Sequence, residues 1–188
     1  ELKSFDKVFI RDLVRHYYLN GIKNSAPSIL ELQDLIQKYI RSKKYNHVVT
    51  IGASSGGFGA ILYGNLINAD CMIAFNPQTV LDEKKETIIK DNILCVPTSK
   101  LLANSNRQDS FYSKCLDLKN FIPFQGKAII HYSDNSLSGI DKRYAEYIEH
   151  DNCSLVAHKS TTHLLALQLK EKNELISQIT GSINLLNS

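Results

Sequence analysis

A chain of 188 residues with 22 Lys and Arg against 19 Asp and Glu has a formal net charge of +3. That surplus is too small, and too scattered, to argue for nucleic acid or an anionic membrane surface as a partner. The 43% hydrophobic and 22% charged fractions are those of an ordinary globular protein, long enough for one domain spanning 1–188 around a single core. No apolar run approaches the ~18 residues of a membrane span, and no basic-then-apolar leader or repeat is read. Cys71, Cys95, Cys115 and Cys153 are dispersed without a C-x-x-C pair, so buried free thiols and a cytoplasmic setting are expected. The six histidines lack zinc-site spacing, so no metal is expected.

In chain order, Lys7-Val8-Phe9-Ile10 reads as a short strand ending at Arg11-Asp12. A loop through Gly21 and Pro27 leads to Ser28-Ile29-Leu30-Glu31, a capping box, after which Leu32, Leu35, Ile36, Tyr39 and Ile40 keep helical spacing. Val48-Val49-Thr50-Ile51 is a β-branched run of the kind that forms a buried strand. It runs into Gly52-Ala53-Ser54-Ser55-Gly56, a G-x-S-x-G pattern that reads as a nucleophile elbow. Such an elbow holds a serine on a sharp strand-to-helix turn, bringing the residues two before and two after it so close that glycine is expected at both. Phe58, Ala60, Ile61, Leu62, Tyr63, Leu66 and Ile67 then make a helix apolar on several sides, with Gly57 and Gly59 letting it start close to the strand. Neither a P-loop nor a G-x-G-x-x-G pattern is present.

Cys71–Phe75 is the next strand, ending in Asn76-Pro77-Gln78. Leu81–Asn120 is polar, helical in pieces, broken at Pro97 and at Asn104-Ser105-Asn106, and reads as a cap-like insertion. Ala128–Tyr132 is a strand, followed by a helix over Arg143–Glu149, the strand Ser154–Ala157, and one long helix from about His163 carrying Leu164, Leu165, Leu167, Leu169, Leu175, Ile176 and Ile179. This alternation predicts an α/β fold, a mostly parallel sheet flanked by helices. Ligands bind such sheets beyond the C-terminal strand ends, where Ser54, Asn76, Asp134 and the loop before His163 all fall.

A serine hydroxyl needs a base, and the base an acid that holds its tautomer. On an elbow-bearing sheet the order is Ser, then Asp or Glu, then His. His163 fits the base, after the loop Lys159-Ser160-Thr161-Thr162, where a helix N-terminus would favour the neutral ring. His158 at the strand end reads as structural or surface, and His16, His47, His131 and His150 fall elsewhere in the pattern. Two aspartates compete for the acid. Asp134 lies two residues beyond a strand and doubles as a turn residue; Asp141 lies just before a helix, where Ser138-Gly139-Ile140-Asp141 also reads as a capping box.

The run Ile51–Ala60, with Ala74-Phe75-Asn76-Pro77-Gln78 after the next strand, resembles a bacterial group within the α/β-hydrolase superfamily that occurs with polysaccharide and capsule biosynthesis proteins. Phe9-Ile10-Arg11-Asp12 with Tyr17-Tyr18 and Gly21 is similar to that group's strand before the elbow. Asp141 with Ala145-Glu146, and His163 with Leu164 and Ala166, match its C-terminal pattern. The resemblance favours Asp141 over Asp134 as the acid. It implies an α/β-hydrolase fold whose N-terminal strands, with the loop that gives the second oxyanion donor, would precede Glu1; the first donor is the backbone N–H of Ser55.

The expected activity is cleavage of a carboxylic ester by Ser54, His163 and Asp141, without a cofactor. A polar or O-acylated glycan substrate is expected because the 81–120 segment is rich in Lys, Asp, Glu and Asn, and chiefly from the resemblance. The alternatives are an O-acyltransferase that passes the acyl group to a sugar hydroxyl, and a non-catalytic hydrolase-fold domain that binds a partner or glycan.

Overall fold

The computed structural model describes residues 5–91 and 110–184. Four strands, β1 (Val49–Ala53), β2 (Cys71–Phe75), β3 (Lys127–Ser133) and β4 (Cys153–His158), form one sheet in the order β1-β2-β3-β4. All three pairings are parallel, with Ala53 opposite Phe75, Phe75 opposite His131 and Ser133 opposite His158. The register therefore brings four strand ends to one edge.

Helices cover both faces. Every residue of β2 is buried, and its side chains alternate between two cores, as a central strand requires. Met72 and Ala74 join Ala128 and Ile130 on the face held by α1 (Ile29–Arg41) and α2 (Ser55–Leu66). Cys71, Ile73 and Phe75 join Ile129 on the face held by α5 (Leu165–Glu171) and α6 (Leu175–Asn184). The α1 cap forms as its sequence predicts, Ser28 Oγ accepting the Glu31 N–H at 3.2 Å. Between β2 and β3, Ser110–Cys115 is a short helix, α3. Leu81, Leu116 and Leu118, on either side of the residues outside the description, are core residues. Pro97, Cys95 and Asn104–Asn106 lie outside the described residues. Among those described, no helix is long and apolar enough to cross a membrane.

Two expectations are corrected. Lys7–Ile10 is not a strand: Val8 is 56% and Phe9 89% exposed, with no ladder partner. A β-branched and aromatic run has strand propensity only against a neighbour that covers a pleated face. The long C-terminal helix is two helices, because Asn173 adopts φ +60° between α5 and α6. Left-handed backbone is tolerated there by asparagine and ends a helix.

Candidate active site

The sharp turn at the end of β1 carries Ser54 at φ +53°, ψ −122°. Its N–H continues the sheet ladder, donating to the Phe75 carbonyl at 2.9 Å. Space is decisive at only one of the two flanking glycines. A Cβ on Gly52 would lie 2.0 Å from the Gly56 carbonyl oxygen, whereas a Cβ on Gly56 would meet nothing closer than the Tyr18 hydroxyl at 3.9 Å. The turn thus needs Gly52 because the Gly56 backbone crosses it.

Segment 12–18 buttresses α2 from outside. Asp12 accepts the N–H groups of Val14, His16 and Tyr18 at 2.7–3.1 Å. That loop sets Tyr17 edge-on to Phe58 at 5.7 Å and lays the Tyr18 ring over Gly59, where a Cβ would come within 2.8 Å. Asp12, Tyr17 and Tyr18, which the resemblance grouped with a strand before the elbow, thus hold the elbow helix in place.

Ser54 and His163, 109 residues apart, meet with Oγ 2.9 Å from Nε2. His163 Nδ1 lies 2.8 Å from Asp141 Oδ1, and the Asp141 side chain is fully buried. A carboxylate there accepts the Nδ1 proton, which leaves Nε2 as the acceptor for the Ser54 hydroxyl. Ser136 Oγ donates to the other Asp141 oxygen. Asp141 stands in the first turn of α4 (Ile140–Tyr147), yet the helix has no side-chain cap. Leu137, Ser138 and Gly139 run left-handed at φ +44°, +58° and +79°, so the capping-box geometry does not form and the carboxylate turns to the ring. Asp134 is a loop brace: its Oδ1 accepts the Ser160 N–H at 3.2 Å.

His163 precedes α5 by two residues, and α5 has only seven. The group in contact with the ring is therefore the Asp141 carboxylate, not a helix terminus. The loop before it is clamped from β2 and β3. Asn76 Nδ2 donates to the His163 carbonyl at 2.9 Å and to Ser133 Oγ at 3.0 Å, while Ser133 Oγ donates to the Thr162 carbonyl at 2.7 Å. Ser55, the first residue of α2, presents its N–H on a turn whose donors have no intrahelical acceptor.

Sequence reasoning gave no role to Gln78. Its carboxamide nitrogen lies 3.3 Å from Ser54 Oγ and 3.2 Å from His163 Nε2. Its sequence signals are position, two residues beyond Asn76 at the same strand end, and a place in the Ala74–Gln78 run that carries the resemblance. Ser136 carried no signal at all. Among the described residues no group of three or more His, Cys, Asp or Glu side chains converges as a metal site.

No protein-family model and no curated sequence matches the chain. Solved structures do. An α/β hydrolase enzyme from the metagenome of sediments of the Mar Chica lagoon, Morocco, aligns with a TM-score of 0.52 and 14% identity, covering 88% of this chain and 75% of its own. The chain has the α/β-hydrolase fold. The capsule O-acetyltransferase of Neisseria meningitidis serogroup A aligns with a TM-score of 0.52 and 19% identity, covering 92% of this chain and 69% of its own. At these identities the likeness is one of fold. On that hydrolase fold, the elbow strand β1 lies at the edge of the described sheet, where Ile51 is 46% exposed.

Proposed function

We propose that this protein cleaves carboxylic esters through an acyl-serine intermediate on Ser54. The observation that carries the reading is the unbroken chain Ser54–His163–Asp141, with links of 2.9 and 2.8 Å. His163 takes the Ser54 proton as Oγ attacks the acyl carbon, then returns it to the leaving oxygen. Asp141 holds the tautomer and balances the imidazolium, and the Ser55 N–H stabilises the oxyanion. Water then releases the acid by the same steps in reverse. A polar ester such as an O-acylated glycan is the proposed substrate, on the resemblance and the polar 81–120 segment. Transfer to a sugar hydroxyl uses the same intermediate, and the capsule O-acetyltransferase sharing this fold is the precedent for it.

A fluorophosphonate probe tests the acyl-serine chemistry directly. Ser54 is expected to be the labelled residue on peptide mapping, and Ser54→Ala to lose all labelling while keeping its unfolding midpoint. A well-folded protein that takes no label on Ser54 sinks the proposal.

A further inference from the structure

Gln78 is 1% exposed. Most side-chain hydrogen bonds in proteins go to backbone groups or water. Here, among the described residues, both ends of the carboxamide face the reacting pair: Oε1 lies 3.3 Å from Ser54 Oγ, and Nε2 lies 3.3 Å from Ser54 Oγ and 3.2 Å from His163 Nε2. With Ser54 Oγ and His163 Nε2 themselves 2.9 Å apart, the amide nitrogen closes a small triangle on the nucleophile and the base.

That corner has a chemical meaning. The oxygen that leaves in acylation, or attacks in deacylation, shares the acyl carbon with Ser54 Oγ. It must also exchange its proton with His163 Nε2 across about 2.6–3.2 Å. The acceptor oxygen therefore approaches within reach of both atoms, and the Gln78 amide nitrogen lies within reach of both.

We infer that Gln78 is a catalytic residue that occupies and guards the acyl-acceptor position, favouring transfer to a bound hydroxyl over hydrolysis. The inference rests on the acyl-Ser54 chemistry proposed above. Water entering this position must displace a carboxamide already hydrogen-bonded there and brings no other contact with which to do so. A hydroxyl on a larger acceptor draws on the binding of the rest of its molecule. Once the carboxamide has swung aside, His163 Nε2 takes the acceptor's proton as its oxygen bonds to the acyl carbon. The tetrahedral intermediate collapses, the bond from carbon to Ser54 Oγ breaks, and the proton passes from Nε2 to Oγ. The product is an ester from an alcohol, or the free acid from water.

The test uses p-nitrophenyl acetate as donor and glycerol as acceptor, following acetyl-enzyme by intact mass. Gln78→Ala is expected to lose its acetyl group to water about tenfold faster than the parent, and to give a lower ratio of glyceryl ester to acetate. An unchanged acetyl-enzyme lifetime and product ratio overturn the inference. So does a fall of about 10²–10³ in acetylation with an unchanged lifetime, the mark of an oxyanion donor. Gln78→Glu keeps the side-chain shape and puts a carboxylate against the ring. Its acid limb for acetylation is expected to move to higher pH, and an unmoved limb also overturns the inference. If the parent itself is neither acetylated nor labelled on Ser54, it is the ester-cleavage proposal that fails.

Discussion

Two serine–histidine pairs stand on this sheet, and only one ends on a carboxylate. In the first, Ser54, His163 and Asp141 are joined at 2.9 and 2.8 Å. In the second, Ser182 Oγ lies 3.0 Å from His131 Nε2, and His131 Nδ1 lies 3.0 Å from His158 Nε2. The serine–histidine distances are nearly equal, so distance does not separate them. What stands at the ends does. Asp141 can only accept, so protons in the first chain point away from the serine and free Nε2 to receive the Ser54 proton. In the second, Ser182 donates to the Gln178 carbonyl at 2.8 Å, so His131 must donate to the serine instead of accepting from it. The third member there is an imidazole, which cannot offset a charged ring. Ser54 is held on a strained turn beside the Ser55 N–H; Ser182 is buried within α6. A serine–histidine contact is a base and its substrate only where an acceptor of fixed charge sets its polarity.

Replacing that acceptor is the strongest way to break the comparison. Asp141→Asn keeps the shape and removes the charge, and the side-chain amide can donate to Nδ1 and leave His163 in the wrong tautomer. A fall of about 10⁴ in kcat is expected, the size seen for the same change in a serine protease. Asp134→Asn, which keeps an oxygen for the Ser160 N–H, should stay within about threefold of the parent. Steady-state kinetics on p-nitrophenyl acetate checks both, and a larger loss at Asp134 would reverse the assignment of the acid.

The second pair should appear in stability, not in rate. His131 is stacked on Phe75 at 4.6 Å, and burial, with His158 beside it, pushes its pKa from 6.5 down to about 4. Burial also lowers His158, against the opposing pull of Glu174 and Asp134 and with the help of Lys172. At pH above 6.5 the His131 ring is neutral in both folded and unfolded chains. Between 6.5 and about 4 the unfolded chain takes up the proton first, so stability falls as pH falls, and below about 4 the loss is complete. The His131 share is about 3 kcal/mol. Urea unfolding at pH 7 and pH 4.5 should show the parent losing more stability than His131→Gln, which cannot titrate and retains a donor for Ser182. Equal losses would mean that the buried ring does not drive the acid limb.

How far the sequence carries the site follows from the range of the interactions that make it. The elbow was legible because its causes are local: a β-branched run, the Gly52 contact with the Gly56 backbone, and an apolar helix begin within ten residues of one another. β2, β3 and β4 were legible as short apolar runs with turn residues after them. Asp141 was not separable from Asp134 by residue type, because the difference lies in the left-handed turn over Leu137–Gly139, two of whose residues are non-glycine and do not announce that backbone. Lys7–Ile10 misled for the converse reason: strand propensity was present and, among the described residues, a strand neighbour was not. Gln78 sits in the Ala74–Gln78 run that carries the resemblance, but its role was not legible there, since its contacts join the end of β2 to side chains 24 residues before and 85 residues after it in the chain.

Ser182→Ala gives the smallest effect and the most direct contrast with Ser54→Ala. The alanine removes a hydroxyl that donates to Gln178 and accepts from His131, leaving the His131 Nε2–H buried without its partner. One lost buried hydrogen bond with one orphaned donor costs about 1–3 kcal/mol, partly offset because a serine bonded back to the carbonyl four residues earlier is a poorer helix former than alanine. A net loss of about 1 kcal/mol in urea unfolding is expected, with fluorophosphonate labelling and ester turnover unchanged. A drop in labelling without a matching loss of folded protein would mean that the two serine–histidine pairs communicate through β3 and β4. In that event, the second pair would have to be counted with the site it resembles.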